Sequence, residues 1–282
     1  MYRTCPKRWS LQYKEGHKKH TPSIHTVFGT AFHEVMQHYL DVMYEKSGAE
    51  ADRENLIELL EEILREEYLT QYKKNNNQHF SSSEEIKEFF EDGVKIIDYF
   101  KKNKSKYFSK KGWFLVGCEI PISIVPNNAY KNVIYNGFLD VVLYHEPTDT
   151  FQIIDIKTST KGWNSYAKKD EEKHFQLILY KKYFAEQFGL AEKSIDIEFL
   201  IVRRKVYEDG EYPQKRIQTF SPASGKNKTT KATNILNKFI NEAFDYKGYK
   251  ETFHTPRPSK WNCHFCSFKE DETLCNVLGK NS

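Results

Sequence analysis

Apolar residues recur at near-helical spacing through TVFGTAFHEVMQHYLDVMY, where Val27, Ala31, Val35 and Met36 are followed by Leu40, Val42 and Met43. The pattern predicts an amphipathic helix beginning near Thr26 or Gly29. KHFQLILYKKYFAEQF predicts a second helix, with Gln176, Tyr180 and Tyr183 along one stripe. Between them the period changes. FLVGCEIPISIV, VIYNGFLDVVLY and FQIIDIKTS read as three strands, and IDIEFLIVRRKVY as a fourth after the second helix. Strands, helix and strand in that order predict an α/β fold, a mixed central sheet flanked by helices. Residues 1–25 form a basic lead-in, 26–110 a helical region broken by the polar KKNNNQHFSSSEE, 111–218 the sheet-bearing core, and 219–282 a linker, a helix and a cysteine-rich end. Thr219 to Thr233 reads as a mobile connection, and LNKFINEAFDYKGY as a helix.

Glu146-Pro147-Thr148-Asp149 is turn material between two β-rich arms, and symmetric pairing about it sets Asp140 opposite Asp155. Side chains alternate along a strand, so Asp155 and Lys157 share a face and Ile156 packs on the other. Asp140, Asp155 and the Ile156 carbonyl then offer hard oxygen ligands for Mg2+ or Mn2+, which polarise a phosphate and lower the pKa of a bound water. Lys157 would orient or deprotonate that water, or offset charge developing at phosphorus. The plain alternative is a sheet ending in an Asp155–Lys157 salt bridge. His33 lies in the first turns of the first helix and is a ligand candidate if that helix caps the open end of the hairpin; His38 is expected to be structural. Gly29, one turn earlier, would permit close backbone approach. Gln176 could orient a phosphate or the lysine, and Tyr180 could touch nucleic acid or serve as a core aromatic.

FGTAFHE, GFLD, DIK and QLILY, in that order, resemble the motifs of the RecB-type branch of the PD-(D/E)xK nucleases, which includes AddB, CRISPR-associated RecB-like exonucleases and phage recombination nucleases. The resemblance implies a restriction-endonuclease-like core with a helical insertion. It makes His33, Asp140 and Asp155 the metal-binding histidine and acids, Lys157 the catalytic lysine, and Gln176 with Tyr180 the motif that follows. Glu119, in LVGCEIPI, matches the acidic position on the preceding strand, or is an edge-strand charge that discourages sheet pairing. The implied activity is metal-dependent DNA hydrolysis, by an exonuclease or end-processing enzyme of recombination, repair or phage replication. An endonuclease, or a non-catalytic DNA-binding subunit of a recombination complex, is the alternative.

Of five cysteines, Cys263, Cys266 and Cys275 fall within WNCHFCSFKEDETLC. No secretory signal precedes them, so a disulfide framework is not expected. Their spacing, with Cys5 far upstream, suggests four-thiolate ligation of Zn2+ or [4Fe-4S] that joins the two ends of the chain. The resemblance favours the cluster, since Cys5-Pro6-Lys7-Arg8-Trp9 matches the CP-x-x-aromatic context of the family's iron-sulfur members. The gap before Cys275 is longer than theirs. Cys118 is expected to be a buried thiol.

Composition narrows the picture further. A chain of 282 residues with 39% hydrophobic residues can bury a substantial core, and no apolar run is long enough to cross a bilayer, so a cytoplasmic protein is expected, in the host cytoplasm if phage-encoded. A net charge of +4 is too small to identify DNA as the partner. Its distribution says more. Arg3, Lys7, Arg8, Lys14, Lys18 and Lys19, the lysines from Lys101 to Lys111, and Arg203, Arg204 and Lys205 suggest a phosphate-facing side. Acids concentrate from Glu50 to Glu67 and from Glu84 to Asp92. No GxxxxGK segment occurs, so motor activity would require a helicase or recombination partner.

Overall fold

The structure, a computed structural model, describes residues 1–17, 21–126, 129–207 and 214–279. In chain order its elements are α1 (Pro6–Trp9), α2 (Ile24–Glu45), α3 (Gly48–Arg53), α4 (Leu56–Lys74), α5 (Ser83–Asn103), β1 (Trp113–Ile124), β2 (Tyr135–His145) and β3 (Thr150–Ser159). There follow α6 (Ser165–Lys169), α7 (Glu171–Phe188), β4 (Ile195–Arg203), β5 (Ile217–Phe220), α8 (Lys226–Ala243), the short pair β6 (Phe244–Asp245) and β7 (Gly248–Tyr249), and α9 (Lys260–His264). They divide into two compact units. One comprises Met1–Thr21, Val125–Ile134 and Thr233–Ser282; the other comprises Pro22–Ile124 and Tyr135–Ala232.

The larger unit is built on a five-stranded sheet in the order β1-β2-β3-β4-β5. β1, β2 and β3 form an antiparallel meander, β3 and β4 run parallel through the α7 crossover, and β5 returns antiparallel. This is the mixed sheet flanked by helices that the sequence order predicts. The turn between β2 and β3 closes on Asp149 in the left-handed region, with φ 50°, a conformation that aspartate tolerates better than most residues. Strand alternation decides what each face meets. Ile154 and Ile156 of β3, with Leu200 and Val202 of β4, pack into the core built by α2, α4 and α5. On the other face, Phe151 meets Phe184 of α7 at 5.8 Å between ring centroids.

α2 starts at Ile24 rather than at Thr26 or Gly29, because the Ser23 hydroxyl accepts the His25 N–H and caps the helix there. Its buried stripe of Val27, Phe28, Ala31, Phe32, Val35, Met36, Tyr39, Leu40 and Met43 follows the helical period and fixes which face meets the sheet. Gly29 lies against β3, where an added Cβ would come 3.3 Å from Thr158 Oγ1, the close approach expected of it. α7 begins on an Asp170 cap and stops at Gly189 in the left-handed region.

Two expectations for the tail are corrected. Thr219 to Thr233 is not a loop throughout, since Ile217–Phe220 pairs with β4 and α8 begins at Lys226. The helix expected through FDYKGY ends at Ala243, where Phe244–Asp245 and Gly248–Tyr249 pair instead. In the smaller unit Trp9 is the hub of an aromatic core, with Tyr2, Phe239, Phe244, Tyr249 and His254 packed edge-on around its ring.

Several basic residues expected to face phosphate are engaged by the protein's own acids and carbonyls. Arg204 is buried, its Nη1 2.6 Å from Asp92 and 2.9 Å from Glu88, and its guanidinium lies 3.8 Å from the Phe89 ring centroid. Lys205 pairs with the same two acids and helps hold the Glu88 carboxyl at about 2, well below the usual range. Lys101 donates to the Asp52 and Glu54 carbonyls, and Lys110 to those of Tyr44 and Lys46. Lys7, Arg8 and Lys14 bond Glu15, the Phe265 carbonyl and the Lys250 carbonyl. Lys18 and Lys19 lie outside the described residues. Arg204→Ala would strand buried Asp92 beside a lone lysine, and a loss of about 3 kcal/mol in chemical denaturation is expected. Wild-type stability in that variant would contradict the role given to the α5–β4 ion cluster.

Candidate active site

Asp140 and Asp155 stand where β2 and β3 part. The antiparallel ladder runs from His145 opposite Thr150 to Val141 opposite Ile154 and stops there. One step further the same register places Asp140 opposite Asp155, as the turn symmetry predicts. In place of the next main-chain pair, the Asp140 carboxylate accepts the Ile156 N–H at 2.7 Å. Asp155 is 2% exposed. Its Oδ2 lies 2.7 Å from Lys157 Nζ, so the buried carboxylate is ion-paired with the lysine on its own strand face. Lys157 itself keeps 35% of its side chain open to solvent.

α2 supplies two side chains. His33 Nδ1 lies 3.6 Å from Asp140 Oδ2, so the helix does reach the hairpin. Burial first, and then the charge of Lys157, hold the imidazole below its usual pKa, against Asp155, Glu119 and a main-chain hydrogen bond at Ile156. A neutral imidazole is the form that can ligate a metal. His38 pairs instead with Glu54 at 3.1 Å. One turn after His33, buried Gln37 donates to Glu119 Oε1 at 2.7 Å and to the Asp140 carbonyl at 3.2 Å. The sequence reading missed Gln37. Its i+4 spacing from His33, which puts both on one helix face, was the available signal.

Glu119 sits in β1 with φ 51°, in the left-handed region that a glutamate adopts only at a cost. The β1–β2 register slips nearby, between Leu115 and Gly117, and the irregularity is consistent with a strand bent to aim one carboxylate. Cys118 is half-buried beside Asp41, and burial pushes its thiol up to about 12, so it is a poor nucleophile.

Gln176 and Tyr180 form a separate pair on α7, with Gln176 Nε2 donating to the Tyr180 hydroxyl at 2.9 Å. Tyr180 lies over Gly137 of β2, where any Cβ would come within 2.5 Å of the ring. That contact explains the glycine three residues before Asp140. The described partners of Gln176 and Tyr180 are each other and β2 rather than the acids.

Burial is the largest influence on both aspartates and raises their pKa values above the carboxylate range, Lys157 pulling down and each additional acid pushing up. Two desolvated carboxyls beside a neutral imidazole make a donor set suited to a divalent cation. Among the described residues no group of three or more His, Cys, Asp or Glu is already arranged to hold a metal ion.

In the smaller unit Cys5, Cys263, Cys266 and Cys275 line one cavity of about 20 Å³, with Arg8 and Lys269 at its wall. All five cysteines of the chain are free thiols. Four cysteines around one space supply the thiolate chemistry a metal would need, though among the described residues they are not already arranged as a metal site.

A family model described as the PD-(D/E)XK nuclease superfamily matches residues 1–271. No curated protein matches the chain. Among solved structures, one described as "Putative exonuclease" from Eubacterium rectale is 13% identical, with a TM-score of 0.47 over 94% of this chain and 80% of that one. A second, described as SSO0001, is also 13% identical, with a TM-score of 0.35 over 95% and 93%.

Two outcomes are expected of this geometry. Without metal, the folded state binds protons at Asp140 and Asp155 more tightly than the unfolded chain, so unfolding releases protons and stability falls as pH rises through the carboxylate range. Thermal midpoints of the metal-free protein from about pH 4 to about pH 7 should show this decline, shallower in Asp155→Asn. An equal slope in the variant would contradict the burial argument. Gln37→Ala removes the donor from Glu119 and from the Asp140 carbonyl, and should weaken Mn2+ binding by roughly 10-fold in calorimetry. Unchanged affinity would make Gln37 a packing residue only.

Proposed function

The chain belongs to the PD-(D/E)XK nuclease superfamily, and from that premise we propose that it is a divalent-metal-dependent DNA nuclease that hydrolyses phosphodiester bonds, working from ends as an exonuclease in recombination, repair or phage DNA processing. The observation that carries the reading is two desolvated carboxyls, Asp140 and Asp155, facing each other where the β2–β3 ladder ends, with His33 3.6 Å from Asp140 and a lysine that solvent reaches beside Asp155. A structural salt bridge between Asp155 and Lys157 has no need of a second desolvated acid opposite it.

Asp140, Asp155, His33 and the Ile156 carbonyl would hold Mg2+ or Mn2+, which when bound supplies a polarised phosphate and a more acidic water. The remaining work belongs to the chain. Lys157, positioned by its ion pair with Asp155, meets the negative charge that gathers on the phosphate, or holds the attacking water for in-line approach. Glu119, aimed by its left-handed backbone and held by Gln37, adds an acceptor on the same side. Gln176 and Tyr180, braced against β2, would seat the substrate backbone at the next phosphate. Burial excludes bulk water, which strengthens each of these charges.

The four cysteines are proposed to bind [4Fe-4S] in a structural role. Hydrolysis moves no electrons, whereas joining residue 5 to the last twenty residues closes nearly the whole chain. A second reading is a single Zn2+, because the same four thiolates are equally a tetrahedral zinc donor set.

End-labelled linear DNA and closed circles, incubated with Mg2+ or Mn2+, give the direct test. Linear DNA should be degraded and circles spared, with chelator stopping the reaction. Asp155→Asn and Lys157→Ala should each lose roughly 100-fold or more while remaining folded. Cutting of closed circles would assign an endonuclease, and full activity in both variants would reject the site. Metal analysis after anaerobic purification should give about four irons per chain. One zinc and no iron would replace the cluster with zinc.

A further inference from the structure

The face of α9 opposite the cysteines has no role in hydrolysis and is built unlike an ordinary surface. Cys263 points inward and is buried, while Trp261 and Phe265, four residues apart and so on one side of the turn, are 87% and 82% exposed. His264 meets the Phe265 ring edge-on at 4.3 Å. A single exposed apolar residue calls for no explanation, but two large aromatics standing together in water do.

These rings sit on an anchored turn. The Ser259 hydroxyl accepts the Asn262 N–H at 3.0 Å, and Asn262 Nδ2 donates to the Thr4 and Arg257 carbonyls at 3.2 and 2.8 Å. Arg8 Nη2 donates to the Phe265 carbonyl at 2.8 Å. The backbone beneath the rings is therefore ordered before anything binds, which lowers the entropy lost on binding. The segment that carries the rings is basic. From Thr252 to Phe268 its charged residues are Arg257 and Lys260, and Lys269, which follows, is paired with Glu270 at 3.7 Å.

We propose that this face is a stacking platform for unpaired bases of single-stranded DNA, with Trp261 and Phe265 taking base faces and Lys260 with its cationic neighbours attracting the phosphates. Exposed aromatics edged by cations suit a polyanion that presents π faces, whereas an apolar protein surface would gain nothing from the cations. The proposal deepens the nuclease reading, on which the choice of DNA as the polyanion rests. Because stacking uses faces rather than edges, recognition would not depend on sequence. Duplex DNA keeps its base faces covered and would not use the platform.

The full-length protein, titrated with poly(dT) in chelator so that no cleavage occurs, provides the test. Of the four tryptophans Trp261 alone stands fully in solvent, so its fluorescence should be quenched by poly(dT), and the quench should vanish in Trp261→Phe while affinity largely persists. Trp261→Ala should weaken poly(dT) binding by roughly 10-fold, Trp261→Ala with Phe265→Ala by more, and duplex binding should be unchanged in both. Unchanged poly(dT) affinity in the double variant would overturn the proposal. So would a dimer, seen by sedimentation, that dissociates in the double variant while poly(dT) binding stays intact, because the face would then belong to a second copy. Binding through Trp261 without any nuclease activity would reject the enzyme and leave the platform standing; cleavage with poly(dT) binding indifferent to both rings would do the reverse.

Discussion

The larger unit depends on the desolvation of Asp155. A carboxylate only 2% exposed, within a strand whose Ile154 and Ile156 pack into hydrocarbon on the other face, is costly unless a cation answers it. Lys157 gives a partial answer from the same strand. Much else at the site reads as a consequence of keeping that acid in place. The β2–β3 ladder ends where the acids begin, and Asp140 takes over the Ile156 N–H that the lost ladder bond would leave free. α2 brings His33 to the gap. Gln37 then ties Glu119 and the Asp140 main chain together from the same helix. Stability and chemistry pull in opposite directions here, because the desolvation that raises both aspartate pKa values also prepares them to favour a divalent cation over bulk water.

The smaller unit solves a different problem. It has little aliphatic material and builds its interior around Trp9 with an aromatic ring set, beside a cavity lined by four thiols. Small cores of this kind commonly need a staple, and a thiolate-bound metal would supply one. Trp9 follows Cys5 by one helical turn, so the first cysteine and the aromatic hub are placed together by α1. The outward rings of α9 are then presented by a segment whose inward side is fixed.

Much of the larger unit was legible in the chain because its signals are local. Strand alternation about Glu146-Pro147-Thr148-Asp149 sets the β2–β3 register within one hairpin, and the helical stripe from Val27 to Met43 sets the face of α2. What stayed hidden depends on contacts between distant segments. Gln37 looks like any polar residue on a helix until Glu119, 82 positions later, arrives beside it. The basic runs misled for the same reason, since Arg204 and Lys205 read as free cations while Glu88 and Asp92, more than a hundred residues earlier, neutralise them. Glu119 could not be placed from strand periodicity, because its positive φ departs from the alternation on which that reading relies. Gly137 in GFLD carried no visible reason until the Tyr180 ring was seen above it.

Whether the two acids at the end of the β2–β3 ladder share a divalent ion is decided by anomalous diffraction from crystals soaked in Mn2+. A manganese peak is expected within bonding distance of the Asp140 and Asp155 carboxylates, with density extending to His33 or the Ile156 carbonyl, at roughly the 2.0–2.2 Å expected of such oxygen and nitrogen ligands. A peak elsewhere, with Asp155 still paired with Lys157 alone, would contradict a shared ion.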